Sequence, residues 1–286
     1  MYLKNDKIVV TIGDIVMRSS RLGTSKEFVL DPTAITGWTD GAATRRNASP
    51  RPVSNGDFSE KATIGARVIS ISGVAIAANG VLLQEMRDAL TGLLANGEYI
   101  EMSVQTAAGT RYAVVGLEGT TSWVQQLDNV AYWKLDLYAP DPRVYGENRI
   151  QNIGATTATG GGLKYVLRYP LNYHSNKTTV AAATIQNHGN VDAWPVFVVT
   201  GDFYSGFTLT DNQDHKVTFN GTVTMQAPVE IDMGAGTAIQ NGIDKSTLLS
   251  KRDWISVSPN ETIRPSFIPI QAGPGWCDIM IRDTWI

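Results

Sequence analysis

Three histidines, one cysteine and scattered carboxylates are the reactive inventory of this 286-residue sequence. His174, His188 and His215 lie far apart, and none has a second histidine three to five residues away. A zinc site shows that spacing or paired cysteines, so no metal is expected. Cys277 stands in the apolar run WCDIMI. That is the setting of a small core residue, whereas an activated thiol needs an electropositive, accessible site. Asp211-Asn212-Gln213-Asp214 lacks the glycine and distant glutamate of an EF-hand loop and reads as a polar hairpin turn. The glycines at 160–162 have no Lys-Ser/Thr after them, and no G-x-S-x-G elbow occurs. Seven tryptophans are present, a residue type on which sugars stack, but Trp133 and Trp276 fall in strand patterns and read as core. Carboxylates paired for glycoside hydrolysis have no positive signature. The inventory points to a chain that is not an enzyme and needs no cofactor.

The elements that would position any site are mostly strands. Hydrophobic residues make up 43% and charged residues 18%, with a net charge of −3. Disorder needs low hydrophobicity and high net charge, and nucleic-acid binding normally shows a basic excess. Neither applies, so no specific nucleic-acid partner is expected. No apolar run approaches the ~20 residues of a membrane helix, so no membrane insertion is expected either. The charged N-terminus is a poor secretory signal, and a lone cysteine suits folding in a reducing cytoplasm.

One helix is legible at residues 80–96. Leu82, Met86, Ala89, Leu90, Leu93 and Leu94 fall on one face, Asn79 is placed to cap the start, and Asn96-Gly97 suits a left-handed end. Residues 67–77 read as a strand in which Gly73 marks a bulge or a close backbone approach. Residues 99–105, 111–118 and 130–138 read as further strands. Ala131, Trp133, Leu135 and Leu137 share one face of the last. Residues 39–65 are a long polar stretch holding Arg45, Arg46, Arg51 and Phe58. A structureless stretch of that length is uncommon in a packed domain. It either contains short strands or is an arm that orders against a partner. After Ala139-Pro140-Asp141-Pro142-Arg143 the pattern changes, which places a boundary near Tyr145 between domains at 1–145 and 146–286. The second half reads as all-β, with strands at 163–169, 183–186, 194–200, 207–210, 215–220, 224–232, 254–257, 262–268 and 276–282, as in a sandwich or barrel.

The order of these features resembles the distal tail proteins, or minor tail proteins, of long flexible-tailed phages (siphophages). The resemblance is carried by Phe28-Val29-Leu30-Asp31-Pro32, by Gly37-Trp38-Thr39-Asp40-Gly41 with Arg45-Arg46, and by Arg51-Pro52 with Asn55-Gly56-Asp57-Phe58. It continues through residues 65–76 (GARVISISGVAI), a strand of the form GR-x-I-x-I-x-G-x-I with the helix straight after it. Pro140-Asp141-Pro142-Arg143-Val144-Tyr145 resembles the family's motif at the end of the first domain. Residues 187–197 (NHGNVDAWPVF) resemble the opening of its C-terminal domain, and residues 279–286 its closing strand.

The resemblance implies a mainly β fold. Its first domain would be a tail-tube-like β-sandwich or split barrel of antiparallel strands with one α-helix, and its second a galectin-like β-sandwich. It also implies a virion structural protein at the tail tip, made in the host bacterial cytoplasm. The chain would form a homohexameric ring that joins the tail tube to the baseplate hub and lets DNA pass. The implied partners are other copies of itself, the tail tube protein, the tape-measure protein, the tail hub or tail-associated lysin, and receptor-binding proteins. Within that picture Arg45, Arg46, Arg51 and Phe58 mark a ring-contact arm, and Pro140, Asp141, Pro142, Arg143 and Tyr145 a domain junction. The rival readings are a carbohydrate-binding module for host recognition and a cell-wall hydrolase.

Overall fold

A computed structural model describes residues 8–155 and 183–286. The expected strand at 163–169, the glycines at 160–162 and His174 lie outside the described residues. The chain falls into two units that divide between Glu147 and Asn148.

The first unit contains β1 (Val9–Ile12), β2 (Ile15–Arg18), β3 (Lys26–Thr36), β4 (Thr44–Arg45), β5 (Ala48–Pro50), β6 (Asp57–Ser59) and β7 (Thr63–Ile64). It continues with β8 (Arg67–Ala77), α1 (Gly80–Gly92), β9 (Ile100–Thr106), β10 (Gly109–Leu117), β11 (Ser122–Leu127), β12 (Val130–Ala139) and β13 (Val144–Tyr145). Seven strands close into a barrel in the order β12-β8-β3-β2-β1-β9-β10. Closure is made by β10 pairing back onto β12 through Gly116↔Tyr138 and Leu117↔Leu137. The strict alternation along β8 and β12 sends Ile69, Ile71, Ala75, Trp133, Leu135 and Leu137 into the interior, where all are buried. Closing the sheet also removes most of the open edges on which strands of other chains pair.

Gly73 is a close approach, and a register shift in β3 begins at its partner Leu30. Its pairing with Trp133 lies in an unbroken register, and a Cβ there would stand 2.1 Å from the Val29 carbonyl oxygen. That space is taken by the Trp133 indole, which meets the Phe28 ring edge-on at 5.7 Å. Most strand pairs of this unit are antiparallel, and β2 with β3 is parallel, joined by Met17↔Phe28 and Arg18↔Val29. The short loop between them is held by Glu27, whose carboxylate accepts from the backbone N–H groups of Leu22 and Thr24.

The helix starts where expected, with Asn79 Oδ1 accepting from Leu82 N at 3.0 Å, but it ends at Gly92 and not at 96. Leu94 takes a left-handed φ of 58°, and Gly97 a φ of 75°. The buried face is Leu83, Met86 and Leu90, rotated from the expected one, so Ala89 is exposed.

The second unit pairs two sheets over one core. The six-stranded sheet has the order β14 (Arg149–Gly154), β25 (Gly275–Ile281), β16 (Val196–Gly201), β19 (Val229–Asp232), β20 (Thr237–Gln240) and β21 (Ile243–Asp244). The four-stranded sheet runs β22 (Leu249–Arg252), β18 (Lys216–Phe219), β17 (Phe207–Thr210) and β24 (Ser266–Pro269). A short pair, β15 (Ile185–Gln186) with β23 (Thr262–Ile263), stands beside them. Phe197, Phe203, Phe207, Phe219 and Phe267 are fully buried between the sheets, with Phe203 and Phe207 edge-on to Phe267 at 5.1 and 5.6 Å. Cys277 lies in this core, and burial pushes its thiol far above the ordinary range.

Three expectations change here. Residues 254–257 contribute only the bridge Ala193↔Val257, and 224–232 are a strand only from Val229. Trp133 is core at 2% exposure, but Trp276 is not: it is 38% exposed on the outer face of β25. Strands β20 to β22 were not visible in the sequence, because their alternation is broken by turns such as Asn241-Gly242, both left-handed.

The turn at 211–215 is a hairpin turn, joining β17 to β18. Asp211 Oδ1 accepts from Gln213 N and His215 N at 2.9 and 3.0 Å, and Oδ2 lies 2.7 Å from His215 Nδ1. The bond to Asp211 raises the His215 pKa above its ordinary value, with Asp253 and Glu261 adding to it. The stabilisation from this pair is therefore complete below about pH 6.5 and is lost as pH rises through the folded pKa. The thermal midpoint of the second unit should fall as pH rises through this range, and the His215→Gln variant should lose that part of the pH dependence. Identical pH profiles for both proteins would contradict the assignment. In the first unit, Gly73→Ala should cost about 1–3 kcal/mol in urea unfolding, because neither the Val29 backbone nor the indole can give way freely.

Candidate functional site

The polar stretch at 39–65 is a hairpin built of two nested antiparallel pairs. β4 pairs with β7 through Thr44↔Ile64 and Arg45↔Thr63, and β5 pairs with β6 through Ala48↔Ser59, Ser49↔Phe58 and Pro50↔Asp57. Between the pairs, residues 46–47 face residues 60–62, one more on the returning strand. An unequal count of that kind bends a hairpin. Gly56, at φ 93°, turns the tip, where Arg51 N donates to Gly56 O at 3.1 Å.

This hairpin has no core of its own. Val53 is 97% exposed and Phe58 62%, and Arg45, Arg46 and Arg51 are all exposed. The Arg51 guanidinium stands 5.2 Å from the centre of the Phe58 ring, a cation–π contact presented at the surface. A two-stranded hairpin is marginal in water unless something packs on it. The sequence-expected arm residues are therefore brought together on one projecting element.

The root of the arm is fixed by a residue that the sequence reading passed over as the first position of a strand. Arg67, at the start of β8, is 3% exposed. Its Nη1 donates to the carbonyls of Gly37, Trp38 and Asp40 at 2.7, 3.0 and 2.7 Å. Its Nε donates to Pro142 O at 2.9 Å. Burial lowers its pKa, and the Asp40 carboxylate works against that shift. Gly37 fits under it with φ 76°, since a Cβ there would stand 2.0 Å from Val68 O. The arm closes above, where Gly65 N donates to Ala43 O at 2.7 Å.

The far end of this clamp is the Pro140–Tyr145 motif. Asp141 Oδ1 accepts from both Arg143 N and Arg143 Nε at 3.0 Å, and Asp141 Oδ2 accepts from Tyr145 OH at 2.5 Å. Pro140 and Pro142 end β12 and prevent it from running on, while Val144, which is buried, and Tyr145, which is half-buried, form β13 against β10. Three separate stretches, 37–41, 65–67 and 139–145, thus meet at one guanidinium. The available signal was the arginine itself, in the otherwise uncharged strand RVISISGVAIA.

Elsewhere, no cluster of three His, Cys, Asp or Glu able to hold a metal occurs among the described residues. His188 lies beside Asp283, which also pairs with Arg149 at 2.5 Å, and His215 serves the hairpin turn. No helix among the described residues is long and apolar enough to cross a membrane.

Arg67→Ala should destabilise the first unit by on the order of 1–3 kcal/mol, since it removes the donor from four carbonyls, of which the contact to Trp38 is buried and the other three part-buried. It should also open the arm root to proteolysis near residues 37–43. Arg67→Lys should recover only part of the loss, because an ammonium lacks the planar fork. Unfolding and cleavage rates equal to those of the parent chain would contradict the clamp.

Comparison with known proteins places this architecture. Residues 188–266 match the family model of the siphovirus-type tail component, C-terminal domain. No curated protein matches the chain. Among solved structures, the Dit protein of phage SPP1 is described as a paradigm of the hub adsorption apparatus in phages infecting Gram-positive bacteria. It aligns over 98% of this chain and 99% of its own, at a TM-score of 0.64 and 10% identity. A chain of the phage P2 baseplate in its activated conformation with calcium aligns over 97% of each chain, at 0.52 and 10% identity. The corresponding strontium structure aligns over 97% of each, at 0.51 and 9% identity. At these identities the solved structures speak to fold alone. Residues 188–266 are thus similar to the siphovirus-type tail component C-terminal domain, within a chain whose fold resembles that of the SPP1 Dit protein over 98% of its length.

Proposed function

We propose that this chain is a structural protein of a siphophage tail tip, a distal tail protein that assembles with copies of itself into a six-membered ring. In this reading the domain at 1–145 is the tail-tube-like, ring-forming domain, and the domain at 146–286 is a galectin-like domain. The ring joins the tail tube and the tape-measure protein to the hub or tail-associated lysin, and carries receptor-binding proteins. DNA passes through it. The role is architectural and not catalytic, and its place is the virion.

The observation that carries this reading is the bent, coreless hairpin at 39–65, rooted rigidly through Arg67 on a closed barrel. A cyclic ring needs a heterologous contact, in which one surface of each subunit meets a different surface of the next. A projecting hairpin with exposed Val53 and Phe58 and a fixed base supplies one half of such a contact. Charge supports the conduit. Residues 1–145 hold 14 basic and 15 acidic side chains, and the remainder 10 and 12. Phosphate binding grows with the number of Lys and Arg contacts, so neither half is built to hold passing DNA.

Deleting residues 42–62 leaves every Arg67 partner in place. The deleted chain should keep its far-UV circular dichroism and elute from size exclusion as a monomer, where the parent forms a ring. A deletion variant that still assembles would remove the arm from the contact.

A further inference from the structure

We propose that the outer face of the six-stranded sheet in the second unit binds a neutral or amino-sugar glycan, with Trp276 as its stacking platform. The strand alternation that buries Cys277 and Ile279 turns Trp276 and Asp278 outward. Trp276 Nε1 donates to Asp278 Oδ2 at 3.0 Å, which orients the indole, and the residue as a whole is 38% exposed. Asn152 Nδ2 donates to Asp278 Oδ1 at 2.7 Å from the neighbouring strand.

Register extends this into a row. Asn152 pairs with Asp278, Asp278 with Val198, and Val198 with Glu230, all on the same face. Thr200 lies directly across from Trp276. At about 4.8 Å per strand the row from Asn152 to Glu230 spans roughly 14 Å, the reach of a short oligosaccharide.

The chemistry of the row selects the ligand. A pyranose has a face of C–H groups and an edge of hydroxyls. The C–H face suits a fixed aromatic ring, and the hydroxyls suit the remaining lone pairs of Asp278 and the Glu230 carboxylate, which accept charge-assisted hydrogen bonds. No lysine or arginine stands at an outward position of β14, β25, β16 or β19. A phosphate-bearing polymer would need such cations, whereas a neutral or amino-substituted sugar does not.

The test is binding of the intact chain to an array of bacterial surface polysaccharides, both neutral and phosphate-bearing, with soluble N,N′-diacetylchitobiose and lactose as competitors. The chain should bind neutral or amino-sugar glycans. Trp276→Ala should weaken binding by about tenfold or more. Trp276→Phe should retain part of it, and Asn152→Ala with Glu230→Ala should weaken it without touching the indole. Far-UV circular dichroism of each variant should match the parent, because all three side chains are solvent-exposed. Binding of the phosphate-bearing polymers alone, no binding to any glycan, or binding indifferent to Trp276→Ala would overturn the proposal. So would a Trp276→Ala chain that fails only in joining a protein neighbour. The readout does not depend on oligomeric state, so a monomeric chain that binds would count against the ring and leave this site standing.

Discussion

One guanidinium holds the base of the arm to the end of the first unit. Arg67 spends its donors on four backbone carbonyls, three at the arm root and one in the Pro140–Tyr145 motif. Backbone carbonyls withdrawn from water need partners, and here a side chain supplies them in place of a strand ladder. The result is a hairpin that lacks a core yet leaves the barrel in a defined direction. The planar fork of arginine suits this task, since acceptors from two distant stretches can be met at fixed angles. Everything proposed for the arm depends on that base being rigid.

The barrel explains why the arm can be so exposed. Seven strands close on themselves, so the first unit owes its stability to an interior that the arm does not enter. The hairpin adds surface and no core. The proposal that it is a contact between subunits gives that exposed surface a use. The second unit is built on the same economy: two sheets share a phenylalanine-rich core, and their outward positions are left for other work.

Much of this was legible where residue type or periodicity was strong. Residues 67–77 are rich in β-branched side chains, residues 130–138 place Ala131, Trp133, Leu135 and Leu137 on one face, both form long strands, and Asn79 caps the helix as its side chain allows. The helix face was misread because Leu82, Leu83, Leu93 and Leu94 are adjacent pairs that periodicity alone does not separate, and Leu94 leaves the helix at a positive φ. Trp276 was misread because an alternating apolar run does not say which of its faces meets the core. The nested pairs of the arm gave no signal, since strands of two or three residues without burial have no hydrophobic pattern. Arg67 was visible only as a charge at a strand start. Its role depends on carbonyls 27–30 and 75 residues away in sequence, which no local pattern reports.

The scarcity of reactive side chains now has a structural counterpart. The lone thiol is core, His215 tightens a turn, and the carboxylates with clear partners hold loops and junctions. The most direct measurement is negative-stain electron microscopy of the purified intact chain. The account predicts closed rings with six-fold symmetry and a central channel. A field of monomers that persists as concentration is raised would contradict it.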